Sequence, residues 1–201
     1  MHNADVTAFE LILASTSPRR SELFAARGLS FRTISPDVDE DDDSGLPPDD
    51  LAVLLARRKS QAVASRLRSG LVVGADTVVA LGNDSLGKPV DAEDARRILR
   101  RLSGSTHRVV TGFSVIDAAD GAERFGRRTT VVTMRTMSEA EIAAYVASGE
   151  SDGKAGAYAI QETGDRFVER IDGPFDNVVG LPVEAVLAAA AELMFRKRSV
   201  G

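Results

Sequence analysis

The chain has 201 residues, of which 43% are hydrophobic and 27% are charged, proportions typical of a globular protein that buries its own core. It contains no cysteine and only two histidines, His2 and His107, which excludes disulfides and a cysteine nucleophile and argues against a histidine-rich metal site. The net charge of −5 argues against a nucleic-acid partner.

The acidic charge is concentrated in one short run. Six acidic residues fall within residues 37–43, among them Asp39 and Glu40, and the rest of the chain is nearly neutral. Most runs of this kind are solvated loop faces. One or two of these acids nevertheless suit a hard cation, because such ions bind carboxylate oxygens.

The sequence gives no sign of targeting or of division into domains. Residues 1–10 lack the basic segment and long apolar segment of a signal peptide, and no apolar run approaches the roughly 18 residues that a membrane span needs. The chain has no internal repeat and no long flexible linker. We therefore expect a soluble cytoplasmic protein with no membrane partner, folded as a single domain over residues 1–201.

Apolar periodicity and turn residues predict helices and strands that alternate along the chain. The predicted strands cover residues 11–14, 31–34, 71–81, 108–116, 124–134, 157–160 and 167–171. The predicted helices cover residues 18–28, 47–69, 92–103, 138–149 and 182–198, and residues 82–85 form a turn. This alternation predicts an α/β or mixed α+β sheet, in which the apolar strand 71–81 is buried on both faces.

A turn rich in serine and arginine follows the first predicted strand. Ser15 and Ser17 precede Pro18, and Arg19 and Arg20 lie in the first turn of the next helix. The helix dipole favours anions at this end by about 0.3–1 kcal/mol, so two arginines are unfavourable there unless an anion compensates them. Backbone N–H groups, hydroxyls and guanidinium groups together suit a phosphate. The alternative is a capped surface helix with solvated arginines.

Asp76 interrupts the apolar strand 71–81. An ionised carboxylate is costly to bury without a partner. The usual solutions are a lysine or arginine partner, a metal ion or a catalytic task. The alternative is a carboxylate at a strand end that accepts hydrogen bonds from backbone N–H groups.

Lys59 lies on the apolar side of the predicted helix 47–69, between Leu55 and Val63. A lysine on such a face either extends its ammonium group to solvent or directs it into a polar cleft. In a cleft it would partner a carboxylate or a phosphate.

Three further features are weaker when each is taken alone. Lys88 leaves a turn beside the buried strand, and the segment 154–161 is rich in small residues that let the backbone approach a ligand. Gln161, at the end of that segment, offers both a donor and an acceptor, as recognition of a nucleobase requires. His107 precedes a strand, a position where a structural role is more common than a catalytic one.

Together these features describe a cleft with carboxylates, lysines and arginines and without a covalent nucleophile. Such a set suits attack of water on a phosphoanhydride, with a metal ion, a carboxylate base and cations that hold the charge of the phosphates. From the residues alone we therefore predict a metal-dependent phosphohydrolase or a nucleotide-binding protein.

Eight short motifs in a fixed order also make this sequence similar to a known family. They are Leu13-Ala14-Ser15-Thr16-Ser17-Pro18-Arg19-Arg20, Asp39-Glu40, Leu55-Ala56-x-x-Lys59, Gly74-Ala75-Asp76-Thr77-Val78-Val79, Gly87-Lys88-Pro89, Leu102-Ser103-Gly104-x-x-His107-x-Val109-x-Thr111-Gly112, Lys154-Ala155-Gly156-Ala157-Tyr158-x-Ile160-Gln161 and Asn177-Val178-Val179-Gly180-Leu181-Pro182. In residues 11–187 the chain resembles the Maf family of nucleoside triphosphate pyrophosphatases.

The resemblance implies an α/β fold similar to that of the inosine triphosphate pyrophosphatases, with an elongated mixed β-sheet flanked by helices and a central cleft between two lobes. It implies that Mg²⁺ or Mn²⁺ supports hydrolysis of a nucleoside triphosphate to the monophosphate and pyrophosphate. Enzymes of this kind remove noncanonical nucleotides before polymerases use them. The family alone suggests a homodimer, and its name carries an association with inhibition of septum formation.

The resemblance also assigns roles to individual residues. Asp76 matches the proposed general base, and Glu40 matches the acid that helps to hold metal or water. The predicted catalytic residues are Asp76, Glu40, Lys59 and Lys88, with Glu40 and Asp76 as metal ligands. The predicted substrate-binding residues are Ser15, Arg19, Arg20, Thr77 and Gln161. Of these, Arg19, Thr77 and Gln161 resemble the branch that acts on dTTP and UTP.

Two positions depart from the family pattern, and both lie in the segment expected to recognise the base. Gly153 stands where the family often has aspartate, with Asp152 one position earlier, and Ala159 stands where glycine is common. These two departures therefore bear on the substrate preference that the resemblance implies.

Two other classes of function compete with the enzyme. A nucleotide-binding regulator of cell division without turnover is disfavoured because the family's catalytic residues are intact. A nucleic-acid-binding module is disfavoured because the sequence lacks a basic stripe and contains only 5% aromatic residues.

Overall fold

A seven-stranded mixed sheet forms the centre of the protein. The structure is a computed structural model that describes residues 10–39, 45–161 and 163–198. The strands are β1 (Leu11–Ala14), β2 (Phe31–Ile34), β3 (Leu71–Leu81), β4 (Asp84–Leu86), β5 (Thr106–Asp117), β6 (Glu123–Met134) and β7 (Val168–Asp172). Their order across the sheet is β2-β1-β3-β5-β6-β7, and β4 pairs with β3. The β1 pairings with β2 and β3 are parallel, and the remaining pairings are antiparallel.

Helices cover both faces of this sheet. They are α1 (Pro18–Ala25), α2 (Pro48–Ala64), α3 (Ala92–Leu102), α4 (Glu139–Ala147), α5 (Phe175–Val179) and α6 (Val183–Arg198), with 3₁₀ turns at Ala155–Ala157 and Thr163–Phe167. The predicted mixed α/β sheet is therefore confirmed. Among the described residues, no helix is both long and apolar enough to cross a membrane.

Two large apolar clusters divide the fold into two lobes along the sheet. One joins α1 and α6 to β1 and to the first half of β3. The other joins α3 and α4 to the ends of β3 and β6. β3 contributes to both clusters and is buried along almost its whole length, as predicted for a strand with little polar alternation. The prediction that residues 1–201 form a single domain remains a prediction.

Helix α2 lies unusually close to the sheet because two glycines face it. A Cβ atom on Gly74 would lie 2.2 Å from the carbonyl oxygen of Ala56, and one on Gly112 would lie 2.2 Å from that of Ala52. Gly112 is the direct cross-strand partner of Asp76. The two glycines therefore remove the side chains on both sides of Asp76 that would hold α2 away from it.

Most predicted elements occur within a few residues of their expected bounds, and the capping predictions are confirmed in two cases. The Asp91 side chain accepts from the Asp94 N–H, and Ser138 with Glu141 forms a capping box. Ser17 occupies the N-cap position of α1 but makes no side-chain cap hydrogen bond; its N–H donates to the Ser15 hydroxyl instead. α1 ends at Ala25, three residues before Gly28.

Three element predictions are wrong for identifiable reasons. Residues 157–160 are not a strand, because Gly156 and Ala157 adopt positive φ angles of 72° and 58° that turn the chain. Helix α2 ends at Ala64 rather than near residue 69, because tighter i to i+3 hydrogen bonds replace the helical ones there. The predicted turn 82–85 is too long: only Gly82 and Asn83 form the turn. Asp84 and Ser85 already belong to β4, which pairs with β3.

The glycine contacts generate a prediction about stability. Gly74→Ala should lower the free energy of unfolding by about 1–3 kcal/mol, because the added methyl group overpacks the contact between α2 and β3. Urea denaturation measures the change. Gly87→Ala is the matched control, since a Cβ at Gly87 meets nothing within 4 Å. Equal unfolding midpoints for both variants would contradict the close approach of α2.

Candidate active site

A cleft of about 740 Å³ opens between the two lobes. Its walls come from the turn after β1, the first turn of α1, the middle of β3 and the segment 152–161. The cleft-lining residues that were predicted from the sequence are Ser15, Arg19, Arg20, Lys59, Asp76, Thr77, Lys88 and Gln161. Glu40, the remaining predicted site residue, lies outside the described residues, as do Asp41, Asp42 and Asp43.

The charged centre of the cleft is an ion pair between Lys59 on α2 and Asp76 on β3. Lys59 Nζ lies 2.6 Å from Asp76 Oδ1, and the side chains are only 4% and 11% exposed. This contact identifies the partner of the carboxylate that interrupts the apolar strand. It also rules out the alternative in which Lys59 extends to solvent, because its ammonium group is directed into the cleft.

The cleft lies at a gap in the pairing of β3. On one side β1 pairs with β3 as far as Gly74, and β4 begins to pair at Val79. Residues 75–78 therefore have no strand partner on that side within the described part of the chain. Successive side chains point to opposite faces of a strand, so Asp76 points toward α2 and Thr77 toward α5, and both reach the cleft through this gap.

The gap also leaves main-chain groups of Thr77 facing the cleft. Leu81 and Asp84 flank a two-residue hairpin loop and therefore form a hydrogen-bonded pair. Because this pattern alternates along a strand, the N–H and C=O of Thr77 point to the same side as those of Leu81. Nothing in the side-chain chemistry of the sequence indicated this donor and acceptor.

The serine- and arginine-rich turn places Arg20 across the cleft wall. Arg20 Nε donates to the carbonyl oxygen of Gly180 at 2.8 Å, and its two terminal nitrogens lie 3.5 Å from Ser15 Oγ and 3.4 Å from Thr77 Oγ1. The interpretation of both arginines as solvated surface groups is therefore wrong for Arg20. Arg19 lines the cleft one residue earlier, so the turn presents hydroxyl and guanidinium groups together.

The segment 152–161 forms the opposite wall and contains Lys154, Tyr158 and Gln161. Gly156 packs so tightly on Val79 that a Cβ there would lie 2.9 Å from Val79 Cγ2. Its N–H donates to the carbonyl oxygen of Gly87 at 3.0 Å, which ties this wall to the residue preceding Lys88. The small residues of this segment predict a backbone that approaches a ligand; in the structure the backbone of Gly156 approaches the side chain of Val79.

His107 supports this wall from the core, which agrees with the structural role expected for it. His107 Nε2 lies 2.8 Å from the hydroxyl oxygen of Tyr158, and the imidazole is almost fully buried. Burial lowers the pKa of His107 to about 4. The side chain is therefore neutral at pH 7 and acts as a hydrogen-bonding brace.

The donor set of the cleft fits a Mg²⁺ or Mn²⁺ ion that arrives with phosphates. Asp76 Oδ1 accepts from Lys59, and no described residue donates a hydrogen bond to Oδ2. Within the described ranges no three His, Asp or Glu side chains form a metal-binding group. Mg²⁺ is commonly held by one or two carboxylates together with substrate phosphates. The Asp76 carboxylate in the cleft is therefore compatible with a Mg²⁺ ion bound in this way.

Sequence comparison places the chain in a family. The profile of the Maf-like protein family matches residues 10–193. The chain belongs to the Maf family. The match covers both lobes and every described residue that lines the cleft.

Several curated relatives are similar to this Maf-family chain over most of their length. A dTTP/UTP pyrophosphatase of Pelotomaculum thermopropionicum is 47% identical over 174 residues, which cover 87% of this chain and 91% of the relative. A dTTP/UTP pyrophosphatase of Geobacter sulfurreducens is 46% identical, over 86% of this chain and 91% of the relative. Among solved structures, the Ham1 protein of Staphylococcus aureus matches with a TM-score of 0.44 and 18% identity, over 62% of this chain and 71% of that one.

The buried imidazole predicts a pH-dependent stability. An unfolded histidine has a pKa of about 6.5 and His107 one of about 4, so protons bind the unfolded chain preferentially as the pH falls through this interval. The free energy of unfolding should therefore decrease by about 2 kcal/mol from this group between pH 7.5 and pH 5. Urea denaturation at several pH values measures the decrease.

His107→Gln should lose most of this decrease, because glutamine does not titrate. Tyr158→Phe is the matched control: it removes the hydrogen-bonding partner but leaves the imidazole in place, so the pH dependence should persist. A His107→Gln variant with the same pH profile as the unaltered protein would show that other groups cause the decrease.

Proposed function

We propose that this protein hydrolyses nucleoside triphosphates to the monophosphate and pyrophosphate, with a preference for dTTP and UTP. The observation that carries the proposal is the buried Lys59–Asp76 pair in a cleft that also contains arginines, lysines and serine hydroxyls. The names of the relatives, at 46% and 47% identity over most of both chains, support the same reaction and the pyrimidine preference.

Asp76 acts as the general base in this proposal. Its carboxylate takes a proton from the attacking water, whose oxygen forms a new bond to phosphorus as the bond between the α- and β-phosphates breaks. Lys59 holds Oδ1 at 2.6 Å and so restricts the orientation of the Asp76 carboxylate, which lines the cleft. Positioned groups of this kind contribute about 10²–10⁴-fold to a rate.

The cations around the cleft hold the negative charge of the triphosphate. Arg19 and Arg20 lie at the first turn of α1, and Lys88 lies on the opposite side of the cleft. Preorganised cations and N–H donors stabilise the charge that develops on the leaving pyrophosphate. The Ser15 hydroxyl adds a neutral hydrogen-bonding group at the same turn.

Gln161 and Thr77 are the residues that we assign to nucleobase recognition. The amide of Gln161 offers a donor and an acceptor, as do the main-chain N–H and C=O of Thr77. Uracil and thymine present the same imide edge, with a donor between two acceptors. One recognition surface therefore suits both dTTP and UTP.

Asp76 and Glu40 are the residues that would hold the divalent cation, together with the phosphates of the substrate. A bound cation lowers the pKa of water and neutralises charge on the phosphates. We further propose a cytoplasmic homodimer that removes noncanonical nucleotides before polymerases use them and that does not bind nucleic acid.

The role of Asp76 predicts a loss of turnover on neutralisation. Asp76→Asn keeps the shape of the side chain but removes its basicity, so kcat for UTP and dTTP should fall at least about 100-fold. Pyrophosphate release with Mg²⁺ or Mn²⁺ and a panel of nucleotides measures the effect. Asp84→Asn, on the neighbouring strand and outside the cleft, is the matched control. No pyrophosphate release by the folded unaltered protein from any triphosphate would refute the proposed reaction.

The position of Arg19 predicts a separate effect on substrate binding. Arg19→Ala should raise KM for UTP about tenfold, as expected for the loss of a charge-assisted hydrogen bond worth about 1.5 kcal/mol. Arg27→Ala, just beyond the end of α1, should leave KM unchanged. If Arg19→Ala weakens the binding of inorganic tripolyphosphate equally, the side chain contacts phosphate; an unchanged affinity for tripolyphosphate would place it at the nucleoside.

A further inference from the structure

A chain of hydrogen bonds runs from the cleft wall into the core beneath it. Thr77 Oγ1 lies 3.0 Å from Thr111 Oγ1, and Thr111 Oγ1 donates to the main-chain oxygen of Asn177 at 2.8 Å. Thr111 and Asn177 are fully buried, whereas Thr77 is half-buried and lines the cleft. Thr111 therefore reaches the cleft only through other residues.

The direction of these hydrogen bonds follows from the single hydrogen that each hydroxyl carries. Thr111 donates its hydrogen to the Asn177 carbonyl, a group that only accepts. The hydrogen between the two threonines must then come from Thr77. Thr77 in turn accepts from Arg20 Nη2 at 3.4 Å. Donation therefore runs in one direction, from Arg20 through Thr77 and Thr111 to Asn177.

The carbonyl that ends this chain is held firmly in place. The Asn177 side chain donates to the carbonyl oxygen of Val109 at 3.0 Å and to Thr130 Oγ1 at 3.1 Å. Thr130 Oγ1 donates to the carbonyl oxygen of Pro174 at 2.9 Å. These hydrogen bonds attach α5, which contains Asn177, to both β5 and β6. They therefore fix the position of the Asn177 carbonyl group.

The same segment also holds the guanidinium group of Arg20. Arg20 Nε donates to the carbonyl oxygen of Gly180, which directly follows α5. A Cβ atom at Gly180 would lie 3.2 Å from Thr77 Oγ1 and 3.5 Å from Arg20 Nε. The end of α5 therefore packs against both side chains. Thr111 connects Thr77 to the same helix through the main-chain oxygen of Asn177.

We propose that Thr111 is a positioning residue for substrate binding. By accepting the Thr77 hydrogen it turns the lone pairs of Thr77 toward Arg20 and the cleft, and so keeps the guanidinium group in its binding orientation. Without Thr111 the Thr77 hydroxyl is free to rotate, and its hydrogen would then oppose the N–H of Arg20. The proposal rests on the proposed function, because that function assigns Thr77 and Arg20 to substrate binding.

The first test separates orientation from packing by two substitutions at one position. Thr111→Val keeps the shape of the side chain but removes the hydroxyl, and it should raise KM for UTP about tenfold while kcat changes less than twofold. Thr111→Ser restores the hydroxyl and should return KM to within about twofold of the unaltered value. A loss in kcat alone, or no rescue by serine, would overturn the proposal.

Thr130→Val is the matched control, because it also removes a buried hydroxyl that contacts Asn177. It reaches Thr77 only through Asn177, so its effect on KM should be less than about threefold. Equal increases in KM for Thr130→Val and Thr111→Val would show a general loosening of α5 and would contradict a specific role for Thr111.

The second test is a double-mutant cycle with Thr77→Val. If Thr111 acts through Thr77, adding Thr111→Val to Thr77→Val should change KM less than twofold. An undiminished tenfold effect in that background would overturn the proposal.

Calorimetric titration with the α,β-methylene analogue of UTP gives a readout that does not depend on turnover. Thr111→Val should weaken binding of the analogue about tenfold, with rescue by Thr111→Ser. If the unaltered protein binds the analogue but releases no pyrophosphate from UTP, the proposed reaction fails while the role of Thr111 is still decided by these affinities. Absence of binding by the unaltered protein overturns the role of Thr111.

Discussion

The candidate site depends on the close approach of α2 to the middle of the sheet. Gly74 and Gly112 leave room for the backbone of α2, and this proximity brings Lys59 Nζ to 2.6 Å from Asp76 Oδ1. Each of these charges is costly to bury alone, and each becomes tolerable only beside the other. The ion pair and the two glycines therefore form one structural unit, in which the packing of a helix brings a lysine to a buried carboxylate.

A second constraint is the gap in the pairing of β3. Because the pairing of β1 with β3 ends at Gly74 and the pairing of β4 with β3 begins at Val79, the cleft is open to both faces of β3 between these two residues. Asp76 on one face belongs to the charged pair, and Thr77 on the other belongs to the hydroxyl chain that ends at Asn177. Neighbouring residues of β3 thus belong to two different contact networks, the buried ion pair with Lys59 and the hydroxyl chain that leads to α5.

Sequence patterns predicted the parts that depend on local chemistry. The apolar run of β3 and the capping residues before α3 and α4 have the predicted structure, because backbone hydrogen bonding and side-chain burial act within a few residues. The pattern failed at residues 157–160, where Gly156 packs against Val79 from a distant strand. It also placed the end of α2 too late, since the apolar periodicity continues after the helical hydrogen bonds have ended. The first of these errors arises because a contact between distant segments overrides local preference, whereas the second arises within the chain segment itself, where i to i+3 hydrogen bonds replace the helical ones.

The sequence by itself determined which residues were unusual for their surroundings: a carboxylate in an apolar strand, a lysine on an apolar helix face, and arginines at the positive end of a helix. For each of these it left a structural alternative open. Only the tertiary structure decided that Asp76 and Lys59 are partners, that Arg20 folds back onto Gly180, and that Thr111 lies beneath Thr77. The reason is physical: an ion pair or a hydrogen bond requires atoms within about 3 Å, and pairs of residues such as Lys59 and Asp76 reach that distance only when helix and sheet have packed.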